Sequence, residues 1–193
     1  MRKVIVAEFV SLDGVMENPA WTAPYWDDDL AAAQSELMYG CGALLLGRVT
    51  YQGFAEAWPK MEGQPGADQM NSIPKYVATT TLTEPTWNAQ FIQGEVAEAV
   101  RALKAQPGPD LLVYGSAELL DTLRRNDLVD VYRLMVYPVV LGKGKKLFQE
   151  GDTLSKFRLL DSKPTGSGVL ILTYGRDAAT TSNSPQINPS TNG

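Results

Sequence analysis

Apolar residues in this chain come in short runs divided by glycine, proline and aspartate, and the runs alternate between continuous and helical spacing. Residues 3–10 (KVIVAEFV) are rich in β-branched and aromatic side chains and stop at Asp13-Gly14, which predicts a strand entering a turn. Residues 15–26 hold Pro19, Pro24, Trp21, Tyr25 and Trp26 with no period, which predicts a long loop loaded with aromatic surface. Asp27-Asp28-Asp29 then precedes Leu30-Ala31-Ala32-Ala33, and acidic residues in a first turn complement the dipole of a helix running to about residue 39. Residues 42–46 are wholly apolar and end at Gly47, as expected of a strand buried on both faces; residues 47–51 then turn into a short helix. Pro59, Pro65 and Pro74 with Gly63 and Gly66 make residues 58–74 a predicted surface loop.

The alternation continues with predicted strands at residues 75–79 and 88–92, then Val96, Val100 and Leu103 at helical spacing until Pro107-Gly108-Pro109 stops the helix. A strand at 111–114, a helix face of Leu119, Leu120 and Leu123, a strand at 131–137 and a turn-rich loop at 138–144 follow. Residues 157–162 and 169–174 around Gly166 form a predicted hairpin. The pattern predicts one α/β domain over residues 1–176: a mostly parallel sheet flanked by helices, with a C-terminal antiparallel hairpin. From Asp177 onward the chain is Thr, Ser, Asn and Pro without apolar period, so residues 177–193 are expected to form a disordered tail.

Composition narrows the chemistry more than the fold. At 193 residues with 44% hydrophobic and 20% charged side chains, the chain suits a single globular core. A net charge of −5 opposes a nucleic-acid footprint, which needs a basic face. No run approaches the roughly 18 apolar residues of a membrane span, residues 1–10 lack a signal peptide's long apolar region, and the lone Cys41 has no internal disulfide partner. These features point to the cytoplasm and to a small-molecule substrate. Histidine is absent, which removes Ser-His-Asp triads, Cys-His pairs and His-bearing zinc sites, and leaves acid-base work to carboxylates, Tyr, Lys or water.

Two turns have the makings of a phosphate cradle. Leu46-Gly47-Arg48-Val49-Thr50 and Tyr114-Gly115-Ser116-Ala117 each lead from a buried strand into a helix, where backbone N–H groups and the helix dipole meet an anion. Every α/β protein needs small residues at such turns, but two in one chain favour a dinucleotide. Thr79-Thr80-Thr81 ends another strand at the same expected edge, where hydroxyls suit a ribose phosphate, although threonine also suits a strand end. Trp21, Tyr25 and Trp26 suit either stacking on a flat heterocycle or packing within their loop. Lys143, Lys145 and Lys146 suit either a substrate phosphate or a solvated turn. Asp27, Asp28 and Asp29 are either helix-start charge or include a buried carboxyl that moves a proton.

In chain order, Ser11-Leu12-Asp13-Gly14, Leu46-Gly47-Arg48-x-Thr50-Tyr51, Val113-Tyr114-Gly115-Ser116, Leu128-Val129-Asp130 and Pro138-Val139-Val140-Leu141-Gly142-x-Gly144-x-x-Leu147-Phe148 resemble the dihydrofolate reductase-like proteins, close to the reductase domain of riboflavin biosynthesis. The resemblance spans residues 2 to about 175. It implies NADPH as hydride donor, held along Ala7, Asp13 and Gly14. Gly47, Arg48, Val49, Thr50, Thr79 and Thr80 would meet the adenosine-side phosphates, and Tyr114, Gly115, Ser116, Ala117, Glu118 and Leu119 the pyrophosphate. It implies that Arg48 favours NADPH over NADH and that the loop Val15-Met16-Glu17-Asn18 closes over the nicotinamide; Trp21, Tyr25 and Trp26, as the aromatic cluster beside it, are the candidate substrate-binding residues. Among the three aspartates, Asp29-Leu30 matches the acidic position that binds the pterin in dihydrofolate reductases, which makes Asp29 the expected catalytic acid. Gly115-Ser116 stands where those enzymes carry Gly-Gly, and Ile73-Pro74-Lys75 stands where they carry an arginine for the folate tail. The expected activity is therefore reduction of a C=N or C=O in a pteridine-, pyrimidine- or flavin-precursor-like heterocycle by a homodimer. A folate or pterin reductase, or a non-catalytic nucleotide-binding stress protein of the same fold, are the alternatives.

Overall fold

The computed structural model describes residues 1–149 and 154–177; the expected tail, apart from Asp177, lies outside the described residues. Eight strands form one sheet in the order β4-β3-β2-β5-β1-β6-β8-β7. The first six, β1 (Val4–Val10), β2 (Cys41–Gly47), β3 (Lys75–Ala78), β4 (Ala89–Ile92), β5 (Asp110–Tyr114) and β6 (Val131–Val136), pair in parallel with their neighbours. The last two, β7 (Phe157–Pro164) and β8 (Leu170–Arg176), form an antiparallel hairpin, and β8 runs antiparallel to β6. The mostly parallel sheet and the closing hairpin are as the apolar pattern predicts.

Helices α1 (Asp28–Gly40), α2 (Arg48–Ala57), α3 (Ala67–Ser72), α4 (Val96–Ala105) and α5 (Ala117–Arg125) connect the parallel strands. Because side chains alternate along a strand, β2 sends Ala43 and Leu45 into one core and Leu44 and Leu46 into the other. The first core is closed by Val100 and Leu103 of α4 and Leu120 and Leu123 of α5; the second by Leu30 and Leu37 of α1 and Met70 of α3. Burial on both faces is what a continuous apolar run such as residues 42–46 requires.

Two expected loops hold regular structure. Residues 15–26 contain a 3-10 turn, Pro19–Tyr25, and residues 58–74 contain another, Trp58–Met61, followed by α3. Ala67, Met70 and Ile73 recur at helical spacing and are 0–4% exposed, a stripe masked in the sequence by the prolines and glycines around it. The short helix expected after Gly47 is ten residues long. Lys75 enters β3 at the amino end, buried beside α3: its Nζ donates to Asn71 O at 3.0 Å and lies 3.9 Å from the Trp87 ring centroid, and burial lowers its pKa to about 8. Lys75 is thus an internal structural group.

Among the described residues, no helix is long and apolar enough to cross a membrane. The chain runs outward from β1 to β2, β3 and β4, returns to place β5 between β2 and β1, and then crosses to β6. Strand order therefore reverses at β5 and β1, and the carboxyl ends of strands at such a point frame a crevice.

Candidate active site

A cleft of about 720 Å³ opens at that edge, where β1, β2, β3 and β5 end. It brings together Ala7, Gly47, Arg48, Val49, Thr50, Thr79, Thr80, Tyr114, Gly115, Ser116, Ala117, Glu118 and Leu119, residues that lie far apart in the chain. Met16, Glu17 and Asn18 also line it, while Val15 is buried behind them.

The two small-residue turns are fitted into each other. Gly115 and Ser116 both have left-handed backbone, φ 63° and 72°, an unusual conformation for a serine. That twist lays the Ser116 side chain against Gly47, so closely that a Cβ on Gly47 would fall 1.8 Å from Ser116 Oγ and 2.4 Å from Ser116 Cβ. A Cβ on Gly115 would in turn meet Thr50 Oγ1 at 3.0 Å. Neither α2 nor α5 has a side-chain cap, so no capping side chain engages the first backbone N–H groups of two helices that start on one cleft. Arg48 is exposed at the start of α2, where its Nη1 donates to Gln52 Oε1 at 2.9 Å. Thr79 Oγ1 accepts from the N–H groups of Thr81 and Leu82 at 3.2 and 3.1 Å, which leaves its hydroxyl proton to donate.

Beneath the Gly115 turn sits Glu8, 7% exposed, its Oε1 accepting the Gly115 N–H at 2.7 Å. Burial pushes its pKa up to about 8, outweighing the opposite pull of the Gly115 hydrogen bond. On β1 it shares a face with Val6 and Val10, whereas Ala7 and Phe9 face the α1 side. That second half of the cleft is lined by Ala7, Phe9, Phe54, Tyr114 and Gln34, and the Tyr114 hydroxyl donates to Gln34 Oε1 at 3.2 Å.

Several expected site residues lie elsewhere. Asp13 does not line the cleft: Oδ1 accepts from Ser11 Oγ and Leu141 N and Oδ2 from Gly142 N, bonds that hold its pKa down to about 2. Gly14, φ 82°, turns the chain so that its carbonyl accepts Leu147 N at 2.9 Å. Together they clamp the 11–16 segment to the 138–147 loop, as do Met16 N to Lys145 O and Lys145 N to Glu17 Oε2 at 2.9 and 3.2 Å. Of the three lysines there, only Lys145 reaches the cleft. Trp21 and Tyr25 pack edge-on against buried Tyr137 with centroids at 5.3 and 5.8 Å, and the half-exposed Trp26 meets the edge of Phe9 at 6.3 Å. None of these three aromatic side chains lines the cleft, although residues 16–19 of the same loop do.

Asp29 meets the C-terminal hairpin. Its Oδ1 accepts from Lys163 Nζ of β7 at 2.8 Å, its side chain is 43% exposed, and it is outside the cleft. The Lys163 hydrogen bond lowers its pKa, the opposite of what an acid working near neutrality needs. Asp27 caps α1 through Leu30 N at 2.9 Å. We expect Asp29→Asn to leave kcat/KM of a reducible substrate within about twofold of the parent. A loss of 10²-fold or more in steady-state assays would restore the carboxyl to the chemistry.

Residue patterns did carry signals for the missed positions. Glu8 is a charge inside an otherwise apolar strand, and Gln34 interrupts the α1 stripe of Leu30, Ala33 and Leu37. Phe9, Phe54, Gly94, Val96 and Thr122 also line the cleft, with nothing local to mark them.

The parallel sheet with an antiparallel hairpin, and a cleft at its strand-order reversal, define a dihydrofolate reductase-like α/β architecture. Comparison with known proteins agrees: residues 2–171 match the RibD C-terminal domain, and the chain belongs to that family. It is 30% identical over 177 residues to the uncharacterized protein YyaP of Bacillus subtilis (strain 168), covering 90% of this chain and 94% of that one. A second uncharacterized protein of that organism, YwjB, is 27% identical over 174 residues, with 87% and 95% covered. A candidate riboflavin biosynthesis protein from Shewanella sp. PV-4 superposes with TM-score 0.70 at 22% identity, covering 91% of this chain and 99% of that chain. The deaminase/5-amino-6-(5-phosphoribosylamino)uracil reductase of Thermotoga maritima gives 0.65 at 15% identity, where 91% of this chain matches 57% of the longer protein. A pyrimidine reductase-like protein from Corynebacterium diphtheriae gives 0.63 at 12% identity, covering 91% of this chain and 92% of that chain.

Proposed function

We propose that this chain is an NADPH-dependent reductase of a small flat heterocycle, of the pyrimidine type named for its structural relatives. The observation that carries the reading is the Gly47–Ser116 contact. It sets two uncapped helix starts side by side on one cleft, and that cleft continues into an aromatic half under α1. The first half suits the phosphates of a dinucleotide, through backbone N–H groups of α2 and α5 and the hydroxyls of Thr50, Thr79 and Thr80. Arg48 adds the charge that suits a 2′-phosphate. When bound, NADPH supplies the hydride. The residues of the second half hold and orient the acceptor ring: Ala7 keeps the strand floor low, Phe9 and Phe54 offer apolar surface, and Gln34 and Tyr114 offer polar atoms. Met16, Glu17 and Asn18, fixed to the 144–147 segment, shield the cleft from water. With Asp29 outside the cleft, the proton for the reduced ring is assigned to solvent water.

Calorimetric titration tests the cofactor half. NADPH is expected to bind at least 10-fold more tightly than NADH, and Arg48→Ala is expected to remove about 10-fold of NADPH affinity while leaving NADH unchanged. Equal affinities for the two dinucleotides would overturn the assignment. NADPH binding without oxidation across a heterocycle panel would replace the reductase reading by that of a nucleotide-binding protein.

A further inference from the structure

The geometry points to Gln34 as the residue that selects the substrate's ring edge, favouring a neutral ring that presents a carbonyl acceptor over one that presents an amino and ring N–H donor pair. This inference rests on the reading of the α1 half of the cleft as the acceptor site. Gln34 projects from α1 on the side of Leu30, Ala33 and Leu37, the buried face, and reaches the cleft. Asp29 precedes it by five residues, so it emerges about 140° further round the helix and meets Lys163 instead. The position on α1 that faces the ring is therefore an uncharged amide.

The orientation of that amide is fixed by its neighbour. Tyr114 sits at the end of β5 with its phenol largely buried, and burial raises its pKa, so it keeps its proton. A buried phenol proton needs an acceptor, and Gln34 Oε1 takes it at 3.2 Å. With Oε1 engaged, the two Nε2 protons remain for a ligand. The other groups of this half, Ala7, Phe9 and Phe54, have no polar side-chain atoms. The carboxyl groups lining the rest of the cleft are placed otherwise: Glu8, on the opposite face of β1, accepts the Gly115 N–H and is kept protonated by burial up to about pH 8, Glu17 is engaged by Lys145 N, and Glu118 is exposed on α5. A 2-amino-4-oxopteridine edge, with two adjacent donors, would find no carboxylate here. A dioxopyrimidine edge would find a donor for its carbonyl between aromatic walls.

The test uses the full chain and measures ring binding by calorimetry with and without NADPH, alongside KM and kcat. The probes are a dioxopyrimidine and a 2-amino-4-oxopteridine. The parent protein is expected to bind the dioxopyrimidine at least 10-fold more tightly. Gln34→Glu, which keeps the Tyr114 acceptor but exchanges donors for a carboxylate, is expected to reverse that order, with the change in KM rather than kcat. Should Gln34→Glu fail to fold, Gln34→Leu is expected to cut dioxopyrimidine affinity about 10-fold and to leave NADPH affinity as it was. An unchanged order of preference in Gln34→Glu, an undiminished dioxopyrimidine affinity in Gln34→Leu, or a parent protein that binds neither ring, overturns the inference. A reversed binding order without any NADPH oxidation would instead uphold the role of Gln34 and remove the reductase reading.

Discussion

Glu8→Gln is expected to raise the thermal midpoint at about pH 8 by on the order of 10 °C and to leave it nearly unchanged at about pH 4.5. The sign follows from proton linkage. The unfolded carboxyl ionises with a pKa of 4.5, the folded one at about 8, so between those values the folded state holds a proton that the unfolded state has released. Stability from this group is complete below about pH 4.5 and is lost as pH rises through about 8. A shift of that size corresponds to on the order of 4 kcal/mol, and a domain of this length gains roughly 2–4 °C per kcal/mol. Glutamine is neutral at every pH, and its Oε1 still accepts the Gly115 N–H, so the variant keeps the bond and loses the penalty. Calorimetric scans from about pH 4.5 to 8.5 measure the effect. Parallel pH profiles for the two proteins would show that the carboxyl ionises in place without cost. A carboxyl that weakens the fold at neutral pH, directly under the Gly115 turn of the cleft, is the kind of residue kept for function rather than stability.

Gly47→Ala is expected to weaken NADPH binding by 100-fold or more and to lower the thermal midpoint by several degrees. The added methyl would lie 2.4 Å from Ser116 Cβ, which no side-chain rotation relieves, so the Gly115-Ser116 turn must shift. Overpacking of this kind costs about 1–3 kcal/mol, and the displaced turn carries the N–H groups at the start of α5. Ser116→Gly by itself is expected to be mildly stabilising, because it replaces a serine at φ 72° by a residue that adopts that backbone freely. The double variant Gly47→Ala with Ser116→Gly removes the atoms that clash and is expected to recover most of the lost affinity. Comparison of the four proteins by calorimetry gives the coupling between the turns directly. Additive effects, with no recovery in the double variant, would show that the two turns act independently.

Which parts of this protein its sequence determined, and which required the folded chain, divides along a physical line. Local periodicity specified the elements: the apolar run at 42–46 is a strand buried on both sides, Gly115-Ser116 does break a strand ahead of a helix, and residues 157–176 do form a hairpin. These are short-range effects of burial, propensity and turn chemistry, and they also placed the two small-residue turns at strand ends that share one cleft. The stripe of α3 was lost because Pro65 and Gly66 act locally as breakers while Ala67, Met70 and Ile73 are stabilised by distant partners.

Partner choice across the sheet was decided only by the tertiary structure. Nothing near Asp29 in the chain announces Lys163, and nothing near Asp13 announces Gly142, yet those contacts draw both carboxylates away from the cleft. The odd residues were visible, a glutamate within an apolar strand and a glutamine within an apolar helix stripe, but their meaning was not. A buried polar group takes its role from what it meets, and Glu8 meets Gly115 across 107 residues, Gln34 meets Tyr114 across 80. Order along one strand or helix is written in neighbouring residues, whereas the charge, proton and hydrogen-bond state of a side chain is set by groups that only folding brings within reach.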